Sequence, residues 1–151
     1  MAIWNQLKAR TDTITEQLKT KKDQFRSKDF ATASMAMCAL ISAADGSVDA
    51  SERQKTATLI ASNDVLAVFP PEQLRQQFDA YCDKLNRDFD FGKVEAIAAI
   101  GKLRSKPEHA RAVIAIGLII GGADGTFDTD ERKAVTDACH AVGIAPAEFD
   151  L

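Results

Sequence analysis

An acidic loop motif occurs twice in this chain and is the strongest constraint on its fold. Both copies have the pattern Asp-Gly-x-x-Asp-x-x-Glu-Arg, at 45–53 and 124–132, so the second copy lies 79 residues after the first. Each copy follows an apolar run and leads into a segment with helical periodicity. The repeat therefore predicts two helix–loop–helix units, over 29–62 and 108–142, packed with pseudo-twofold symmetry in one fold.

The remaining segments also read as helices, and no convincing strand alternation is present. Apolar residues recur at spacings of four and seven, which is typical of amphipathic helices. We therefore predict an all-α single domain spanning 1–151, with seven or eight helices. The predicted helical segments are 3–25, 29–44, 50–62, a short turn at 64–69, 71–87, 91–104, 107–123, 129–142 and one further turn within 144–151.

Residues with known positional preferences mark the ends of several predicted helices. Ser27 and Asn63 have the side chains of N-terminal caps. Pro71 and Pro107 suit the first turn of a helix, where the missing N–H is not needed. Gly143 suits the position just after a helix, because glycine adopts the left-handed conformation readily. A short acidic turn is expected at 88–90.

Composition limits the classes of function. The chain has 151 residues and a net charge of −3, and residues 31–151 hold twelve Lys or Arg against eighteen Asp or Glu. An acidic body disfavours nonspecific nucleic-acid binding, which depends on neutralising phosphates. The uncharged run 112–123 has twelve residues, whereas a membrane span needs about 20, so it predicts a buried core helix.

The N-terminus and the cysteines favour a cytoplasmic protein. No signal peptide is visible, because Met1 leads at once into polar sequence. The three cysteines, Cys38, Cys82 and Cys139, are odd in number and widely spaced, which fits reduced thiols. No nucleophile–base pair or Gly-rich phosphate loop is visible, so we expect no enzymatic activity.

The carboxylates of the two loops form a candidate cation site. In the first copy, Asp49 and Glu52 are three residues apart at the start of a helix and can face one side, with Asp45 across the short loop. Such an all-oxygen set suits Ca²⁺, Mg²⁺ or Mn²⁺. Zinc fits poorly, since the loops contain no Cys or His. The motif is not an EF-hand, because its glycine is second and its glutamate eighth.

Helix capping offers an alternative interpretation of the same residues. The Asp-x-x-Glu spacing of Asp49 with Glu52, and of Asp128 with Glu131, is that of a capping box. Acidic residues at a helix N-terminus are also favoured by the macrodipole. Capping does not account for Asp45 or Asp124, which follow the C-terminal end of the preceding helix. Capping and cation binding are compatible, and the spacing alone does not decide between them.

The two loops, each with its preceding alanine, closely resemble those of the TerB family of tellurite-resistance proteins. The resemblance covers essentially the whole chain, including the helix that contains Trp4 and the break at Pro70 and Pro71. It implies an all-helical fold with two pseudo-symmetric halves and a surface acidic site for a divalent metal. Asp130 is extra, because its counterpart in the first copy is Ser51. Carried over residue by residue, the implied metal ligands are Asp45, Asp49, Glu52, Asp124, Asp128 and Glu131.

The resemblance also implies a function in stress response. Proteins of this family are linked to resistance to tellurite, some phages and colicins, and are typically encoded beside the membrane protein TerC and calcium-binding TerD-type proteins. We therefore expect a non-enzymatic, cation-binding scaffold with such partners, peripheral at the inner face of the cytoplasmic membrane through one of them. The alternatives are a metal-independent acidic interaction module and a thiol-based redox protein.

Overall fold

The computed structural model describes residues 16–17, 24–121 and 127–151, and these ranges are helical with no strand. The helix predicted over 3–25 falls mostly outside them, and the predicted total of seven or eight helices is not confirmed. Short 3₁₀ helices occupy Leu66–Val68 and Pro146–Phe149. Six α-helices lie entirely within the described ranges: α1 (Lys28–Ser42), α2 (Ala50–Ala61), α3 (Pro71–Arg87), α4 (Phe89–Gly101), α5 (Pro107–Gly121) and α6 (Thr129–Val142).

Helix α1 is the centre of the fold. It packs against α3, α4 and α5, and also contacts α2 and α6. Every residue from Ala33 to Leu40 has no solvent exposure. A helix that is apolar around its whole circumference must be enclosed on all sides, and the surrounding helices provide that enclosure.

The predicted core helix in 112–123 is confirmed as far as Gly121, where α5 ends. Residues Ala112 to Leu118 are buried, and α5 lies directly against α1. The two backbones approach closely because α5 presents glycine at the contact. A Cβ at Gly117 would collide with the side chain of Met37, and one at Gly121 with that of Ile41.

The predicted helix ends are mostly confirmed. The Ser27 hydroxyl accepts a hydrogen bond from the Phe30 N–H at 3.1 Å, and Asn63 Oδ1 accepts from the Val65 and Leu66 N–H groups. Pro71 opens α3, and Gly143 follows α6 with a φ of 74°.

The segment predicted as an acidic turn, 88–90, is instead the start of α4. Asp88 acts as the N-cap and accepts a hydrogen bond from the Phe91 N–H at 3.2 Å, so the helix begins at Phe89 rather than at 91. The helix also ends earlier than predicted, at Gly101, where the chain passes into turns closed by the Leu103 and Arg104 N–H groups.

The pseudo-twofold packing of the two halves stays a prediction. In the described ranges α2 and α6 both contact α1 and α5, but α2 also packs on α3 and α6 also packs on α4. None of the helices in these ranges combines the length and the apolar content that crossing a bilayer requires.

A glycine at the α3–α4 contact gives a test of this packing. A Cβ at Gly92 would lie 2.8 Å from the backbone of Leu85, and backbone yields less easily than a side chain. We expect Gly92→Ala to lower the free energy of unfolding by about 1–3 kcal/mol through overpacking. Thermal unfolding would show this as a loss of roughly 2–4 °C for each kcal/mol.

Gly101→Ala is the matched control on the same helix. A Cβ there would meet nothing nearer than the Ala141 carbonyl oxygen at 3.9 Å. Because alanine favours the helix over glycine, this change should be neutral or stabilise by up to about 1 kcal/mol. Equal effects of the two substitutions would contradict the close α3–α4 contact.

Candidate functional site

The first acidic loop leaves α1 through a turn at Gly46. The Gly46 N–H donates to the Ala43 carbonyl at 2.8 Å, and Gly46 has a φ of 120°, a conformation that favours glycine. The Asp45 side chain is exposed and accepts a long hydrogen bond of 3.5 Å from the Ser47 N–H. Asp45 therefore lies on the surface just beyond the end of α1.

The second acidic loop is described only from Phe127 onward. Residues 122–126, which include the predicted ligand Asp124, lie outside the described ranges. Phe127 is the counterpart of Val48 in the repeat, and both side chains pack against the core. The two copies therefore share an apolar residue that fixes the chain immediately before the second helix of each unit.

The capping interpretation of the repeated Asp-x-x-Glu pattern is confirmed in both copies. The N-cap aspartate accepts a hydrogen bond at 2.8 Å from the glutamate N–H, and the glutamate accepts one at 3.3 Å from the aspartate N–H. Each of these bonds uses one oxygen, and a carboxylate has two. The caps belong to α2 and α6 and are formed by Asp49 with Glu52 and by Asp128 with Glu131.

Carboxylates from both loops border a single open cleft of about 700 Å³. The cleft forms because α1 and α5 pack side by side, so that Ile41 near the end of one and Ile120 near the end of the other share its lining. One face of α2 provides another wall. The carboxylates that line the cleft are Asp45, Glu52, Asp128 and Glu131.

The chemistry of these carboxylates fits a hard cation, but their spacing alone does not complete a site. Within residues 16–17, 24–121 and 127–151, no group of three or more His, Cys, Asp or Glu side chains is close enough to hold a metal. Asp49 does not line the cleft, although it caps the same helix as Glu52. A cation held by these residues would therefore need donors beyond them, of which Asp124 and water are the candidates.

Asn86 holds the first loop in place, a role that the sequence does not predict. From α3 its Oδ1 accepts a hydrogen bond from the Val48 N–H at 2.8 Å, and its Nδ2 donates to the Val48 carbonyl at 3.0 Å. One amide side chain thus satisfies both polar backbone groups of a buried residue. No local pattern marks this contact, because the two residues are 38 positions apart.

Arg53 ties the start of α2 to the same helix. Its guanidinium donates to Asp83 Oδ1 at 2.9 Å and lies 3.7 Å from Asp79 Oδ1. The arginine is the last residue of the repeated motif. Its presence in both copies was the feature of the sequence that could have predicted a role for it. Asn86 and Arg53 together fix the first loop and its helix on α3.

The three cysteines lie in the core. All have no solvent exposure and are unpaired. Burial raises the pKa of Cys82 to about 12 and the pKa of Cys139 to about 11, and it also raises the pKa of Cys38. Because the thiolate is the reactive form, these positions do not favour redox chemistry at neutral pH.

Comparison with known proteins finds one family consistently. The family described as "Tellurite resistance protein TerB" matches the chain over residues 31–151. A protein of Alcaligenes sp. named "Tellurium resistance protein TerB" is 25% identical over 118 residues, which cover 78% of this chain and 97% of that protein. No solved structure matches the chain.

The Asn86 contact predicts a measurable contribution to stability. Asn86→Ala would leave the Val48 N–H and carbonyl without their partner in a part-buried position. The expected loss in the free energy of unfolding is about 1–3 kcal/mol. Amide hydrogen exchange should show faster exchange at Val48.

Arg87→Ala, at the neighbouring and exposed position of α3, is the control and should change stability by less than about 0.5 kcal/mol. Asn86→Asp provides a second comparison, since a carboxylate can accept from the Val48 N–H but cannot donate to its carbonyl. Unchanged exchange at Val48 in Asn86→Ala would contradict the assigned contact.

Proposed function

The chain belongs to the TerB family of tellurite resistance proteins, and we propose that it serves tellurite resistance as a non-enzymatic, cation-responsive scaffold. The observation that carries the proposal is that both repeated loops supply carboxylates to one cleft. The first loop supplies Asp45 and Glu52, and the second supplies Asp128 and Glu131. If the two loops act together at one cleft, their duplication has a functional reason. Capping of two separate helices gives no such reason.

The proposed ligand is a hard divalent cation, Ca²⁺, Mg²⁺ or Mn²⁺. Carboxylate oxygens suit these ions, and the cation would offset the mutual repulsion of clustered negative charges. Sequence reasoning adds Asp49 and Asp124 to the ligand set. Water molecules would complete the coordination, as is common for Mg²⁺, which gives up its hydration reluctantly.

A scaffold role requires that a partner distinguish the cation-bound form. Cation binding would change both the charge of the cleft and the balance among loop arrangements, and a partner can read either change. We propose as partners the other tellurite-resistance proteins, including the membrane protein TerC. On this proposal the chain is cytoplasmic and reaches the inner face of the membrane through its partner.

A metal-independent acidic interaction module is the second candidate function. It is favoured by the absence of a converging set of three ligands among the described residues. Partner binding by such a module would weaken with salt, because the Debye length shrinks from about 10 Å at 0.1 M to 3 Å at 1 M. It would not respond to a chelator, and this difference separates it from the cation-responsive scaffold.

Calorimetric titration of the metal-stripped protein with Ca²⁺, Mg²⁺, Mn²⁺ and Zn²⁺ tests the cation site. We expect saturable binding of a hard cation, weakened at least about tenfold in the double variant Asp45→Asn/Asp124→Asn. These two aspartates are chosen because they take no part in the capping boxes. Asp29→Asn/Asp90→Asn removes the same charge from exposed positions on α1 and α4 and should leave the titration unchanged.

A second pair of variants separates charge from capping. Asn is as good an N-cap as Asp, so Asp49→Asn/Asp128→Asn should keep both helices capped while removing two charges. If Asp45→Asn/Asp124→Asn binds the cation as tightly as the wild type, these two residues are not its ligands. No binding of any cation to the wild type would leave the metal-independent module as the function of the cleft.

Thiol chemistry is expected to be dispensable. Replacing Cys38, Cys82 and Cys139 with Ala should leave tellurite resistance intact in cells that depend on this chain, because burial keeps the thiols protonated and inaccessible. In the wild type at pH 8, an aromatic disulfide reagent should modify the native thiols at least about tenfold more slowly than the denatured ones. Loss of resistance in a triple variant that still folds would instead support a redox role.

A further inference from the structure

The cleft between the two loops is larger and more apolar than a cation needs. Its volume of about 700 Å³ lies within the range of about 300–1,000 Å³ that is typical of pockets for organic ligands. Three aliphatic side chains, Ile41, Leu59 and Ile120, line it together with the carboxylates. The lining is therefore amphipathic, with an apolar part that plays no role in cation binding.

Leu59 is the most informative of these residues. It is one of the large hydrophobic side chains that the described part of the chain exposes, with 37% of its surface accessible. Ile41 and Ile120 are almost completely buried, at 2% and 4% exposure. The accessible apolar surface in the cleft therefore comes chiefly from the α2 wall.

The charged residues of the cleft have one dominant sign. Among the described residues that line it, there are four carboxylates, from Asp45, Glu52, Asp128 and Glu131, and one ammonium, from Lys55. The cleft thus repels anionic partners, including anionic membrane surfaces and nucleic acids, and attracts cationic ones.

We propose that this cleft docks a segment of a partner protein that presents an aliphatic side chain flanked by lysine or arginine. The aliphatic side chain would cover Leu59 and displace water from it, while the flanking basic groups would reach the surrounding carboxylates. Arginine suits this position well, since its guanidinium pairs with a carboxylate through two hydrogen bonds. The proposal rests on the scaffold role proposed above and specifies the chemistry of the partner. It holds whether or not a cation binds.

Selection from a random 12-residue peptide library displayed on phage, against the full chain in EDTA, tests the proposal. We expect enriched peptides to share Lys or Arg on either side of Leu, Ile, Val or Met. An enriched peptide, synthesised with a fluorescent label, is then titrated with the protein by anisotropy. Its affinity should fall as salt is raised, because the paired charges are exposed to solvent.

Two substitutions in the cleft should change that affinity in opposite directions. Leu59→Gln should weaken binding at least fivefold by removing the apolar contact. Lys55→Gln should raise the affinity about two- to fivefold, because it removes a positive charge that repels the basic peptide. A misfolded variant could not bind more tightly. Val94→Gln alters a residue on α4 with 66% exposure and, as the control, should leave binding unchanged.

Several results would overturn the proposal. These are no enrichment beyond that on an unrelated acidic protein, enriched peptides without the basic and aliphatic pattern, or equal binding to Leu59→Gln and the wild type. Because EDTA is present throughout and Asp45 and Asp124 are unaltered, these results say nothing against the cation site. Conversely, failure of the cation titration leaves the peptide result standing.

Discussion

The close contact between α1 and α5 is the constraint on which the site depends. Gly117 and Gly121 allow the α5 backbone to approach Met37 and Ile41 more closely than any residue with a Cβ would permit. Because these contacts lie in the C-terminal halves of both helices, the C-terminal ends of α1 and α5 lie side by side. Carboxylates that are about half the chain apart in sequence consequently border one cleft.

The capping boxes add a second constraint, on the orientation of the carboxylates. Asp128 and Glu131 each accept a backbone hydrogen bond, which fixes where their oxygens point and limits side-chain motion. The same side chains therefore start a helix and border the cleft. This double use explains why capping and binding could not be separated from spacing alone, and why amide substitutions, which keep the cap and remove the charge, can separate them.

The parts of the fold that the sequence predicted are those governed by local chemistry. Ser27, Pro71 and Gly143 act within a few residues of their own position, and all were placed correctly. Asp88 shows the limit of that reasoning, since an acidic residue between helices fits either a turn or an N-cap, and here it begins α4. The acidic residue was noted in the sequence, but only the hydrogen bond from the Phe91 N–H identifies it as the N-cap.

The candidate site was predictable in its residue types and not in its geometry. The repeat identified the carboxylates, whereas the role of Asn86 and the apolar wall at Leu59 arise from contacts between distant helices. Such contacts leave no periodic pattern in the sequence. The pseudo-symmetric packing of the two halves was inferred from the repeat alone and stays a prediction.

A cation and a basic segment would draw on the same carboxylates, and this links the two proposals. Each ligand neutralises charge that the other needs, so each must weaken the other by the same factor at equilibrium. In the first loop the backbone is already held by Asn86 and by the cap of Asp49, which leaves little local rearrangement for a cation to drive. At this loop the response to a cation would therefore be electrostatic, with the partner sensing the charge of the cleft rather than a change in its shape.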